Sequence, residues 1–288
     1  MERRQFLKAL GVGVAGISHL EAFATGKKVK SMGLQLFSVR EFVAKDLEGT
    51  LEKVAALGYK DLEIYGYNGT FFGKTTHEFK TILKNTGIKV VSSHHPAGIG
   101  MKSKGSLTDG WDKAVEDLDQ IGAKYMVCPY LFPKEQNNET YAMLPDLLSK
   151  SGEVTKSAGI QFAYHNHDFE FKKYNDSTLV FDHIITNTPA DLVKIELDLY
   201  WIIKAGYDPI KYFEKYPGRF PLWHVKDMEA GSKDITEVGH GTIDFDKIFA
   251  ARKIAGLEQW FVEQDTTKGN IFESIKSSYD YLSEKKFK

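Results

Sequence analysis

From Met32 onward the chain alternates two spacings of apolar residues. Short apolar or β-branched runs are followed by polar connections and then by longer stretches with helical periodicity. The predicted strands are MGLQLF from Met32, DLEIY from Asp61, KVVSSHH from Lys89, KYMVCP from Lys124, IQFAYHN from Ile160, LVKIELDLY from Leu192, PLWHVKD from Pro221 and QWFVEQD from Gln259. Helical spacing runs through LEGTLEKVAALG, THEFKTILKNTG, DGWDKAVEDLDQIG, Tyr141 to Gly159, DPIKYFEKYPG, DFDKIFAARKIAG and NIFESIKSSYDYLSEKK. Five strands follow a glycine that closes the preceding helix: Gly58, Gly87, Gly122, Gly159 and Gly256. Such alternation requires parallel strands joined by crossover helices, and eight units predict an α/β protein, a (β/α)8 TIM barrel. A doubly wound open sheet would carry a phosphate-binding glycine cluster after its first strand, and QLFSVREF has none. LFPKEQNNET, from Leu131 to Thr140, is expected as a loop over the C-terminal face.

In such a barrel, function belongs at the C-terminal strand ends, and here they are ionisable where core strands are apolar. Strand alternation puts Glu196 and Asp198 on one face, His224 and Lys226 on one face, and Glu263 with Phe261 and Asp265. His165, Asp198, His224 and Glu263 can therefore converge from four successive strands. Two imidazoles and two carboxylates suit one divalent ion, Mn²⁺, Zn²⁺, Co²⁺ or Fe²⁺, with water or substrate completing the shell. Burying several charges without a counter-ion is expensive, which favours a metal site over isolated polar residues. One of His94 and His95 should face the cavity, with His94 preferred. Glu63 ends the second strand in reach of a substrate hydroxyl or of a structural ion pair. Phe37, Tyr65, Trp201 and Trp223 are candidate apolar walls for a sugar ring, and VGHGTIDF from Val238 is expected as a tight loop over the mouth.

The leader MERRQFLKALGVGVAGISHLEAFATG pairs Arg3 with Arg4 ahead of a Gly/Ala-rich run and an Ala22-Phe23-Ala24 cleavage pattern. It resembles a twin-arginine export signal, so residues 1–24 are expected to be an export signal and 25–288 a single catalytic domain, placing the protein in the periplasm or otherwise exported. The run is too short and too interrupted for a membrane span. With 38 Lys+Arg against 39 Asp+Glu the net charge is -1, which argues against a nucleic-acid partner. The single Cys128 excludes an intrachain disulfide.

ELD on the sixth strand, HVKD on the seventh, the VGHGTIDF loop and VEQD on the eighth together resemble the xylose isomerase-like TIM-barrel superfamily of sugar phosphate isomerases and epimerases. That superfamily includes ketose 3-epimerases, inosose dehydratases and endonuclease IV-like proteins. The resemblance implies that Asp198, His224 and Glu263 are metal ligands and that the fourth ligand position, a glutamate in the epimerases, falls on His165. Trp201 stands where the family usually has a histidine. The implied activity is isomerisation or epimerisation of a keto-sugar or related polyol: Glu263 or His165 takes the proton next to a carbonyl, and Lys226 or His94 serves the oxygen. The histidine at the fourth position weakens symmetric two-carboxylate epimerisation. Alternatives are a metal-dependent 3-keto-glycoside lyase or dehydratase and a non-catalytic periplasmic sugar-binding protein. Export and the lack of a basic cluster argue against a phosphorylated substrate. The expected partner is a small-molecule carbohydrate, and self-association into a homo-oligomer is left open.

Overall fold

The computed structural model describes residues 32–285, so the expected export signal at 1–24 lies outside the described residues. Eight parallel strands close into a barrel: Gly33–Gln35, Asp61–Ile64, Lys89–His94, Tyr125–Cys128, Gln161–His165, Val193–Asp198, Leu222–Val225 and Gln259–Val262, with the first hydrogen-bonded to the last. Helices surround it, and among the described residues none is long and apolar enough to cross a membrane. Each strand is shorter than its apolar run. Leu36 and Phe37 turn into a 3-10 helix, while Leu199 and Tyr200 open the helix Leu199–Lys204. The connection from Leu131 contains a 3-10 turn at Pro133–Glu135 and gives way early to a helix at Asn138, capped by Asn137. A helix at Val180–Thr186, absent from the periodicity reading, fills the crossover between the fifth and sixth strands.

The barrel interior is layered. Tyr125, Val127, Ala163, Leu222 and Phe261 form a small apolar plug that is separate from the large core between strands and helices. Gly33 leaves room for Phe261, since a Cβ there would lie 2.3 Å from its ring. Above the plug, toward the C-terminal ends, seven of the eight strands bring polar side chains together: Gln35, Glu63, His94, His165, Glu196 and His224, then Asp198, Lys226, Glu263 and Asp265. Register aligns them, with Gln35 beside Glu63, His165 beside Glu196 and Asp198 beside His224.

The third strand departs from strict alternation. Pairing with the second strand sets Leu62 opposite Val90 and Glu63 opposite Ser92, skipping Val91. Val91 packs on the barrel plug, and the skipped residue flips the sides that follow. His94 then faces inward, and His95 packs outward against Tyr67 and Trp111 with its Nδ1 on the Gly105 carbonyl.

Candidate metal centre

His165, Asp198, His224 and Glu263 meet at the barrel mouth, and all are buried. His165 Nε2 lies 3.6 Å from Asp198 Oδ2, His224 Nδ1 lies 3.9 Å from the same oxygen, and His224 Nδ1 lies 2.8 Å from Glu263 Oε2. Lys226 is inserted among the carboxylates, 3.0 Å from Asp198 Oδ2 and 2.9 Å from Asp265 Oδ2, and it also bonds Glu263.

A second group lies one layer deeper. Glu196 Oε2 is 2.9 Å from His94 Nε2, 3.0 Å from His165 Nδ1 and 3.3 Å from His224 Nε2. Glu63 Oε2 is 2.5 Å from His224 Nε2 and 2.9 Å from His94 Nε2, and it accepts a hydrogen bond from Gln35 at 2.7 Å. Glu63 thus sits beneath the cavity rather than on its wall. Sequence reasoning placed Glu196 on the correct face of the sixth strand but gave it no role. The signal was its charge in a strand interior two residues before Asp198.

The electrostatics describe a site short of positive charge. Five carboxylates, from Glu63, Glu196, Asp198, Glu263 and Asp265, share one lysine and three imidazoles. Burial raises Glu263, but Lys226 and His224 outweigh it and hold the carboxyl well below the ordinary range. Burial, reinforced by Glu63, pushes Glu196 up to about 7. Burial also raises Asp198, over the opposing pull of Lys226. Burial and then His224 hold His165 well below its ordinary value, so it is a neutral imidazole suited to ligation. Asp198 Oδ2, Glu63 Oε1 and Glu196 Oε1 are buried without a hydrogen-bond donor aligned on them, even though Lys226 Nζ is close to the first. Orphaned carboxylate oxygens beside the neutral His165 imidazole, with His224 raised by Glu196, Glu263 and Glu63 against its burial, fit a site whose carboxylates call for a cation. Among the described residues, His94-His165-Glu196-His224 and Asp198-His224-Glu263 are the groups compact enough to hold one.

Local structure explains the positions. Asp198 ends its strand and N-caps the next helix, Oδ1 accepting from Trp201 N–H at 2.9 Å, which leaves Oδ2 for the cavity. Asn166, between the two histidines of HNH, accepts from Asp198 N–H at 3.0 Å and locks the fifth strand end to the sixth. Glu170 accepts from His167 N–H at 2.8 Å and from the Tyr164 hydroxyl at 2.8 Å, fixing the loop that carries His167.

Over the centre opens a cavity of about 950 Å³, reached by His94, His165, Lys226, Glu263 and Asp265. Phe37, Tyr65, Tyr130, Phe132, Phe169 and Trp201 form its apolar walls. Trp223 does not: it is fully buried on the outer side of the barrel, stacked on Phe213 at 5.0 Å. The VGHGTIDF loop also differs from expectation. It stays clear of the cavity and is tied down by Asp227, whose Oδ2 accepts from Gly239 N–H at 2.9 Å and Gly241 N–H at 3.0 Å while Oδ1 accepts from Ile243 N–H at 3.1 Å.

The family described as xylose isomerase-like TIM barrel matches residues 51–283. The chain is 24% identical over 269 residues to the inosose dehydratase of Lacticaseibacillus casei, a match covering 82% of this chain and 88% of that protein. The structure of a sugar phosphate isomerase/epimerase from Parabacteroides distasonis superposes with a TM-score of 0.78 at 30% identity, covering 94% of this chain and 99% of that one. The 3-keto-D-glucoside 4-epimerase of E. coli shares the fold, with a TM-score of 0.64 at 18% identity over 88% of this chain and 98% of that one.

Proposed function

Because this chain belongs to the xylose isomerase-like TIM-barrel family, we propose that it is a metal-dependent enzyme that removes the proton next to the carbonyl of a keto-sugar. The observation that carries this is Glu263, a carboxylate held ionised in the wall of a sugar-sized cavity and bonded to both Lys226 and His224. The donor set is His165, Asp198, His224 and Glu263. These residues would hold a divalent ion, which when bound would polarise the substrate carbonyl and lower the cost of breaking the neighbouring C–H bond.

Glu263 takes the proton, and the C–H electrons move toward the carbonyl oxygen, where Lys226 supplies a positive charge and a hydrogen-bond donor. His165 has no nitrogen left for proton transfer, because Nδ1 faces Glu196 and Nε2 faces Asp198. The cavity therefore presents one carboxylate base rather than two facing ones. Asp265, on the cavity wall and raised by burial and by Glu263, can carry a proton to a departing oxygen.

This unlike pair favours elimination over epimerisation. The β C–O bond breaks as the carbonyl re-forms, and the departing oxygen takes its proton from Asp265. Isomerisation or epimerisation, the first expectation from the sequence, becomes the second reading, resting on the sugar phosphate isomerase/epimerase at 30% identity. Elimination is also the kind of reaction named by the dehydratase relative. The cavity lies near the upper end of the roughly 300–1,000 Å³ of small-molecule sites, giving room for a sugar ring with a substituent. If residues 1–24 act as the export signal they resemble, the substrate would be met outside the cytoplasm as an unphosphorylated glycoside, and fractionation of cells carrying the full chain tests that placement.

The functional test is incubation of Co²⁺- or Mn²⁺-loaded protein with a 3-keto-glucoside and with free keto-sugars in deuterium oxide. Aglycone release from the glycoside, with deuterium entering next to the carbonyl, is the expected result. Epimerised product without release would select the second reading. Tight binding of a keto-sugar with no exchange would leave a binding protein.

A further inference from the structure

The deeper group and the mouth group share His224, which turns Nε2 to the first and Nδ1 to the second, and His165 of the deeper group likewise has Nδ1 on Glu196 and Nε2 3.6 Å from Asp198 Oδ2 at the mouth. A neutral imidazole has one lone pair and one N–H, so an ion held by one group turns the other into a set of hydrogen-bond partners. Gln35 shows which is which. Its Oε1 accepts from Phe37 N–H at 3.0 Å and its Nε2 donates to Glu63 Oε2 at 2.7 Å, which fixes the amide orientation from both ends. The same Nε2 lies 3.3 Å from His94 Nδ1, making that nitrogen an acceptor and placing the His94 proton on Nε2, between Glu63 and Glu196. His94 Nε2 therefore cannot ligate, and the deeper group loses one of its three imidazoles.

We propose that Glu63 and Glu196 are positioning residues, which hold the two ligating imidazoles from behind and set their tautomers. His224 Nε2–H donates to Glu63 Oε2, turning the Nδ1 lone pair to the mouth. His165 Nδ1–H donates to Glu196 Oε2, turning Nε2 toward Asp198. His94 ties the two carboxylates together by donating between them, 2.9 Å from each, and Gln35 anchors that pair to the first strand. Both carboxylates are wholly buried beneath the cavity, where no substrate reaches them. Carboxylates placed behind ligating histidines orient the ring and raise its basicity.

The inference rests on the metal reading proposed above but is tested without turnover. In Zn²⁺-loaded protein labelled with ¹⁵N-histidine, long-range proton–nitrogen spectra should show His224 protonated at Nε2 and His165 at Nδ1. The opposite tautomers would place the ion in the deeper group and overturn the proposal. Co²⁺ affinity, measured against a competing chelator, should weaken roughly 10–100-fold in Glu63→Gln and in Glu196→Gln while one equivalent still binds with an altered visible spectrum. Asp198→Asn should lose stoichiometric binding. Unchanged Co²⁺ affinity and spectrum in both glutamine variants, whatever their thermal stability, would overturn the positioning role. Metal-loaded wild type that shows the expected tautomers yet catalyses no exchange would sink the functional reading alone.

Discussion

Glu170 has no place in the chemistry yet controls how the HNH segment is held. Burial pushes its carboxyl up to about 8, against an ordinary value of 4.5. Between those values the unfolded chain has released a proton that the native state retains, so this group's contribution falls as pH rises from about 4.5 to about 8. Glu170→Gln keeps an acceptor for His167 N–H and cannot ionise. Its melting temperature should therefore exceed that of wild type at pH 8, with a flatter dependence between pH 5 and 8. Equal slopes in melts followed by circular dichroism would refute this account. Lys226→Met removes the ammonium facing the substrate oxygen and leaves Asp198, Glu263 and Asp265 to repel one another. Deuterium exchange into substrate should drop roughly 10²–10³-fold, measured by mass spectrometry.

At the scale of elements, Asp227 is the anchor of the loop after the seventh strand. Asp227→Asn turns an amide donor toward backbone N–H groups that now meet a carboxylate, and should destabilise the fold by about 3 kcal/mol. Because that loop does not line the cavity, metal stoichiometry should be unchanged, so denaturant unfolding and metal analysis together check the assignment. Elements were legible in the sequence as far as periodicity carries. Eight apolar runs became eight strands, and alternation within IELDLY and HVKD told which side chains share a face. The same alternation sets Trp223 opposite His224, so its outward position was already implied. The choice between His94 and His95 was not decidable by alternation, because the skipped Val91 reverses the sides and depends on pairing with the second strand. The Val180–Thr186 helix had its signal in Val180, Phe181, Ile184 and Ile185, all buried on one side, but it is short and lies behind a polar turn-rich stretch.

On the scale of the molecule, closure of the barrel creates the centre. Glu63 and His224 are 161 residues apart in sequence and 2.5 Å apart in space, a contact that no single strand's pattern contains. The sequence named four strand-end residues that meet at the mouth, whereas the ring of Gln35, Glu63, His94 and Glu196 behind them emerges only when the first and eighth strands pair. Since the donors come from four strands, metal should bind the folded chain and not the unfolded one. Chelation should lower the melting temperature, and metal at a hundredfold excess over its dissociation constant should restore about 2.7 kcal/mol. A melting temperature indifferent to both treatments would contradict a centre built by closure.

Asp198 has two attachments, one oxygen on the Trp201 amide and the other facing the cavity. The helix it starts carries Trp201 and Lys204, both part of the wall where sugar would rest. An ion fixing that carboxylate would stiffen the wall before any sugar arrives, so the expected order of binding is metal first, carbohydrate second. The Trp201 amide should exchange with solvent more slowly in metal-loaded protein, and sugar should bind poorly to the metal-free form.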